Sequence, residues 1–263
     1  MGRSPLVSSC LLSPVFCLLL PRGALHVIIY GLNPVREALR AGRVRELRIA
    51  GASSRVTELE RLASRSGVPV RRVPSAALDR AASGGRHQGV TAEVDTPPDL
   101  TLEALLAQAG ASPLLLVLDG IEDPQNLGAI LRVADAAGVD GVVRQTRRAA
   151  SLGAVARSSA GAMAHVRLAS VVNVARALDE LKAAGVWTIG LEADGEPLYE
   201  GMDLRLPTAF VLGSEGKGLR RLVRERCDRV ASLPQSGRVN SLNVAVAAGA
   251  AVYEAIRQRH HAG

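Results

Sequence analysis

The sequence predicts a two-module α/β protein: a small α/β sandwich, then a larger domain whose mostly parallel sheet is covered by helices on both faces. Three observations point to it. Short apolar runs and helix-period segments alternate along most of the chain, the order that generates parallel sheets. In the C-terminal half, three segments each carry an apolar run into a cluster of Gly, polar and charged residues and then into a helical pattern. They are LDGIEDPQNLGAILRVADAAGVDGVV (Leu118–Val143), FVLGSEGKGL (Phe210–Leu219) and SLPQSGRVNSLNVAVAAGAAVYEAI (Ser232–Ile256). Ligands of α/β sheets bind where strands end, so three such ends describe one built site. Charge also divides the chain: residues 27–94 hold 12 Arg against 6 acids, a net of +6, while residues 95–263 come to −1.

The first module, residues 27–94, opens on the β-branched run Val27–Tyr30, a strand that ends in Gly31-Leu32-Asn33-Pro34. Asn33 suits an N-cap and Pro34 the first helical position, which predicts a helix over Val35–Ala41. Val44–Ala50 reads as a strand, Val56–Ser66 as a helix and Val68–Val73 as a strand. Val90–Val94, after Arg86-His87-Gln88-Gly89, closes the module. Residues 95–112, with Pro97-Pro98 and a short leucine-rich stretch, read as a linker.

The second module, residues 113–263, begins with strand Leu114–Leu118, helix Leu127–Ala137, strand Gly141–Val143 and helix Ala154–Met163. Helix Val174–Ala184 and the strands Val186–Leu191 and Ala209–Leu212 come next. Helix Leu219–Arg226, strand Arg229–Leu233 and a long helix Leu242–Gln258 end the chain. Alternation of this kind gives a parallel sheet buried on both faces.

Composition narrows the function classes. The chain is 48% hydrophobic but only 2% aromatic, so the core is aliphatic and few rings are available to stack single-stranded bases. A basic first module beside a nearly neutral second one fits a polyanion held by the first; a solvated basic face with no partner accounts for the same charge. Cys10, Cys17 and Cys227 show neither a pairing pattern nor metal-ligand spacing, which predicts a reduced, cytoplasmic chain without a metal. In residues 1–26 the run VSSCLLSPVFCLLL is shorter than the roughly 20 residues of a membrane span and is interrupted by Pro14. One Arg before it makes a poor secretory signal. We expect a disordered or mis-assigned extension, with the module-like sequence starting at Val27, where a GTG start codon would be read as Val.

Within the three segments, Asn126 stands near the start of a helix and Arg132 six residues on, about 120° from registry, so the two need not share a face. A helix N-terminus there offers N–H groups to a phosphate; a capped helix with one arginine on its wet side is the plain alternative. Gly213-Ser214-Glu215-Gly216-Lys217-Gly218 lacks the spacing and the terminal Lys-Ser/Thr of a Walker loop, and no GxGxxG occurs. Its glycines let backbone approach a ligand closely, while Lys217, Arg220 and Arg221 read equally well as a solvated helix start. Ser241 is placed to cap the last helix, whose Ala/Gly face admits another helix at close range. Arg36, Arg40 and Arg43 flank the first helix and are candidates for phosphate contacts.

The order and wording of the three segments resemble the motifs of the SpoU/TrmH branch of the SPOUT RNA methyltransferases, and within it the RlmB-like kind. YGLNPVREAL and HQGV resemble the ribosomal-protein-L30e-like domain that precedes the catalytic domain in many such enzymes. That resemblance implies a C-terminal trefoil knot holding S-adenosylmethionine in a bent conformation, with the Gly213 backbone on the cofactor and Leu233 and Leu242 lining its adenine pocket. It implies Asn126 and Arg132 as the catalytic Asn and Arg, Glu215 beside that arginine, and Ser241 and Asn243 positioning the target ribose. A homodimer that completes each site is implied as well. Arg144-Gln145-Thr146 departs from the Pro-Lys/Arg-like sequence of many relatives, in what we expect to be a loop near the substrate. The implied reaction is S-adenosylmethionine-dependent 2′-O-methylation of a guanosine ribose in large-subunit ribosomal RNA. Transfer RNA or another ribosomal site is the alternative substrate. A catalytically silent RNA-binding or ribosome-assembly factor is the alternative class, which the complete set Asn126, Arg132, Glu215, Ser241 and Asn243 argues against.

Overall fold

The computed structural model describes residues 26–95, 98–147, 155, 159, 162–199, 201–238 and 241–260. The first module pairs strands β1 (His26–Tyr30), β2 (Val44–Ile49), β3 (Val70–Arg72) and β4 (Val90–Asp95) in the order β1-β4-β2-β3. β4 runs antiparallel to both neighbours and β3 parallel to β2. Period-two alternation puts Val27, Ile29, Leu47, Ile49, Val90 and Ala92 into one core, which helices α1 (Leu32–Arg40) and α2 (Ser54–Arg65) cover. A third helix, α3 (Ser75–Ala81), was not expected from the sequence; only Leu78 of its residues is buried.

α1 begins before the expected cap. Its N-cap is Gly31 at φ +94°, a left-handed value that favours glycine, and Asn33 lies exposed inside the first turn. The Leu32 N–H donates to Oε1 of Gln88 at 3.1 Å. The two phrases of this module therefore serve one another: HQGV supplies the cap that GLNP lacks.

In the second module β5 (Leu114–Asp119), β6 (Gly141–Gln145), β7 (Leu168–Val171), β8 (Trp187–Pro197), β9 (Thr208–Gly213) and β10 (Arg229–Ser232) form one sheet in the order β10-β8-β9-β5-β6-β7. Every neighbouring pair is parallel. Central β5 is buried along its whole length. Leu114, Leu116 and Leu118 pack with α5 (Pro124–Ala136) and α8 (Val244–His260) on one face. Leu115 and Val117 pack with α4 (Leu102–Gln108), α6 (Val174–Ala183) and α7 (Arg221–Arg226) on the other. From β5 the chain moves outward through β6 to β7 and then crosses back to β8 and β9. The order thus reverses between β5 and β9, and a crevice opens at their C-terminal ends.

The segment read as a linker is largely part of this domain. Leu100 bridges to Ala169 at the sheet edge, and α4, capped by the Thr101 hydroxyl, lays Leu105 over Gly141. The loop expected at Arg144 and Gln145 is instead the end of β6, where both side chains are buried. Arg144 donates to Asp99 at 2.7 Å and Gln145 to the Val172 carbonyl at 3.1 Å. Buried polar groups need partners, and Gln145 and one terminal nitrogen of Arg144 find them within the fold, while the buried Arg144 Nε has none among the described residues. Strand β7 was not expected. The expected helix Ala154–Met163 lies mostly outside the described residues; near its end, a 3-10 turn spans Ala162–Ala164. β8 runs six residues past the expected Leu191. Its register with β10 jumps from Val230↔Gly190 to Ala231↔Glu196, so residues 191–195 bulge towards the crevice.

Candidate functional site

At the end of β5, Gly120 turns the chain at φ +77°, and Asp123 caps α5 by accepting the N–H groups of Gln125 and Asn126 at 3.1 and 3.2 Å. The helix starts at Pro124, ahead of Asn126. Its N-terminal donors are therefore partly consumed by the chain's own carboxylate, not left for a phosphate. Asn126 is 8% exposed; Arg132 is exposed on the same helix.

Asn243 joins the three segments. Its Nδ2 donates to Oδ1 of Asn126 and to Oε1 of Glu215, both at 2.8 Å. Its Oδ1 accepts the N–H of Ala245 at 2.9 Å and of Val246 at 3.4 Å, which makes Asn243, not Ser241, the cap of α8. Glu215 thus has an asparagine for its partner, and Arg132 has no hydrogen bond or ion pair among the described residues. The chain joins Asn126, Glu215 and Asn243 by hydrogen bonds, and Arg132 takes no part in that network among the described residues.

A cavity of about 360 Å³ lies against this network, within the range of small-molecule sites. Gly213, Leu233, Leu242 and Ser241 all line it, with Leu191 and Glu192 from the β8 bulge. Ser214 and Gly218 exchange backbone hydrogen bonds at 2.9 and 3.1 Å, closing the glycine loop. A Cβ on Gly213 would overlap the Gly218 backbone, so only glycine permits the loop to fold back so tightly. Apolar walls for a planar ring beside a rim of backbone and carboxylates suit a nucleoside cofactor such as S-adenosylmethionine. A second cavity, of about 260 Å³, shares Ser214, Glu215, Lys217 and Val244 with the first.

Sequence reading missed two supports of this site. Asp119, 1% exposed, accepts the Arg220 N–H at 2.9 Å and its Nε at 2.7 Å, and a terminal nitrogen of Arg220 pairs with the same carboxylate. Arg220 also donates to Gln145 at 3.2 Å. It is therefore no solvated helix start, and α7 begins only at Arg221. Glu192 accepts the Leu219 N–H from the far side of the loop; an isolated acid after an apolar run was its sole signal. Cys227 takes no part: burial pushes its thiol up to about 12, and a thiol is a nucleophile only as the thiolate. Among the described residues no group of three His, Cys, Asp or Glu could hold a metal ion, and no helix is long and apolar enough to cross a membrane.

In the first module, Arg36 faces Glu58 at 3.5 Å and Arg40 pairs with Glu37 at 3.0 Å, while the Arg43 side chain has no partner among the described residues. Arg55, Arg61 and Arg65, exposed on α2, are likewise without carboxylate partners there. α2 thus presents more uncompensated positive charge than the α1 arginines singled out from sequence.

Asn243 gives the first test of the site. Asn243→Ala is expected to destabilise the protein by about 1 kcal/mol through the lost cap and to lower any turnover. Asn243→Asp should restore the cap and, against repulsion from Glu215, part of the melting temperature, but not turnover, because a carboxylate cannot donate to Asn126 and Glu215. Equal recovery of both would show that the residue matters only as a cap.

Comparison with known proteins bears on the same residues. The SpoU rRNA Methylase family matches residues 113–253, and the RNA 2′-O ribose methyltransferase substrate-binding family matches residues 28–100. The 23S rRNA (guanosine-2′-O-)-methyltransferase RlmB of Xylella fastidiosa is 45% identical over 88% of this chain and 96% of its own. RlmB of Pseudomonas aeruginosa is 43% identical with the same coverage. The crystal structure of the SpoU methyltransferase AviRb from Streptomyces viridochromogenes in complex with the cofactor AdoMet superimposes with a TM-score of 0.74 at 27% identity, covering 90% of this chain and 91% of that one. The three strand ends, the glycine loop and the asparagine network all lie within the matched residues 113–253, and the chain belongs to the SpoU rRNA methylase family.

Proposed function

We propose that this protein is an S-adenosylmethionine-dependent RNA methyltransferase that modifies the ribose 2′-oxygen of a guanosine in 23S ribosomal RNA, in the cytoplasm. The observation that carries the reading is the Asn126–Asn243–Glu215 network set against the glycine-lined cavity. The names of the RlmB relatives, similar over nearly their whole length, support the substrate.

When bound, the cofactor supplies an electrophilic methyl group. The chain's own task is the nucleophile: a 2′-hydroxyl attacks poorly until it sheds its proton. A guanidinium is a poor proton acceptor, so Arg132 serves by orienting the 2′-oxygen and stabilising its developing negative charge, while a phosphate or water takes the proton. Asn126 is held with Oδ1 on Asn243, which leaves Nδ2 to orient the incoming nucleoside. Ser241, on the cavity rim, is placed to hold the ribose.

The reading includes a homodimer. Its support is the exposed Arg132, without a hydrogen bond or ion pair among the described residues, with Leu242, Val246 and Tyr253 exposed at 44, 57 and 53% along and just before α8. A second copy would cover those side chains and bring its Arg132 to this site. It includes as well the trefoil knot that the family resemblance implies, and an RNA grip by the first module in which Arg36, Arg40 and Arg43 are joined by Arg55, Arg61 and Arg65.

The test is a map of ribose methylation in RNA from a strain lacking the gene. One guanosine of 23S ribosomal RNA should lose its 2′-O-methyl group and regain it when the gene is returned. Loss confined to transfer RNA, or no loss, would refute the assignment.

A further inference from the structure

The larger cavity belongs to the cofactor, but the smaller one beside it has a chemistry of its own. Resting on the guanosine reading above, we propose that this cavity receives the base of the target nucleotide and that Glu122 makes it selective for guanine. The cavity is lined by Gly120, Glu122, Asp123, Asn126, Glu215 and Lys217, among others. It shares a wall with the cofactor cavity, so a nucleoside seated there has its ribose beside the methyl donor.

The lining decides which part of an RNA can enter. Three carboxylates against one lysine repel phosphate, so the occupant is the uncharged base. Two of the carboxylates are engaged already: Asp123 caps α5, and Glu215 holds Asn243. Glu122, exposed at the cavity, has no hydrogen bond or ion pair among the described residues. Asn126, 8% exposed, has its Oδ1 fixed by Asn243, and its Nδ2 is without a partner among the described residues. The cavity therefore offers one uncommitted pair of acceptor oxygens and one uncommitted donor.

Guanine matches that offer. Its Watson–Crick edge carries two adjacent donors, N1–H and the N2 amino group, which a carboxylate accepts side by side. Adenine and cytosine each place a ring acceptor next to their amino group, and uracil has a single donor between two carbonyls. Set against Glu122, each would leave a lone pair facing a carboxylate. Reading that edge requires an unpaired base, the usual target of sequence-specific RNA recognition.

The experiment uses the full-length protein and an RNA fragment spanning the mapped site, with guanosine or inosine at that position; inosine lacks only the N2 amino group. Wild-type protein should prefer guanosine in kcat/KM by roughly 10- to 100-fold. In Glu122→Gln the preference should fall to about twofold, mostly through loss on guanosine, because Gln sets one donor against guanine's pair. S-adenosylmethionine affinity, measured by calorimetry, should be unchanged, and Glu122→Ala should behave in the same way. An unchanged guanosine-to-inosine ratio in the variants would overturn the proposal while leaving the guanosine reading intact. So would a fall in cofactor affinity matching the fall in turnover, which would place Glu122 on the cofactor instead. Methylation by wild-type protein of a ribose on another base would remove both readings together.

Discussion

Arg132→Ala is expected to abolish methyl transfer while S-adenosylmethionine affinity and the melting temperature stay near wild type. Arg132 is exposed and has no partner among the described residues, so its loss leaves no cavity and no orphaned charge. Its contribution falls in the transition state, where charge builds on the 2′-oxygen. Removing one such donor lowers turnover by about 10²–10³-fold. Single-turnover methylation with saturating RNA is the measurement, with calorimetry for the cofactor. Turnover within threefold of wild type would remove Arg132 from the mechanism. The same variant tests the dimer. If Arg132 acts on its partner's site, Arg132→Ala and Asn126→Ala chains, each inactive alone, should regain about a quarter of wild-type activity when refolded together, since half the dimers are mixed and each mixed dimer holds one whole site. No recovery would mean that each subunit uses its own arginine.

Arg220→Ala should cause the largest loss of stability. The Asp119 carboxylate is wholly buried at the end of β5 and relies on Arg220 for the side-chain share of its hydrogen bonds. Removing one partner of a buried pair costs about 3–5 kcal/mol, because the other charge is left in a poor solvent. The lower end applies here, since the Arg220 side chain is 42% exposed and only Asp119 is buried, and the residue 220 backbone N–H still reaches Asp119. About 3 kcal/mol corresponds to a fall of roughly 6–12 °C in melting temperature for a chain of this size. Replacing both residues, Asp119→Leu with Arg220→Met, should cost less than Arg220→Ala alone, as no unpaired charge remains. A melting temperature within a degree of wild type for Arg220→Ala would show the pair to be incidental.

What the sequence made legible follows from how local each signal is. Buried parallel strands such as Leu114–Leu118 and Ala209–Leu212 declare themselves as unbroken apolar runs, and both lie where expected. Gly213, Leu233 and Leu242 were assigned to one pocket by resemblance, and they do line one cavity. Where reading failed, the partner was remote. Gln88 caps a helix 56 residues away, which no inspection of Asn33-Pro34 could reveal. Arg144 and Gln145 read as loop residues because they follow the apolar run and depart from the relatives' pattern, yet they are buried and bonded to Asp99, Val172 and Arg220. The resemblance set Glu215 beside Arg132, whereas the folded chain sets Asn243 between the segments.

Those remote partners have a consequence for how the protein comes into being. The bonds that close the site join residues 101 and 117 positions apart, Asp119 to Arg220 and Asn126 to Asn243. Most of the sheet can assemble as its strands are synthesised, but contacts of such long separation are the slow ones in folding. At the usual pace of translation, on the order of ten seconds pass between Asp119 and Asn243 leaving the peptidyl-transferase centre. Until Asn243 arrives, the strand ends lack the bond that ties Asn126 and Glu215 together. Arrival of the last helix is then a checkpoint: a prematurely terminated product, however well its sheet has formed, has no site with which to engage a cofactor.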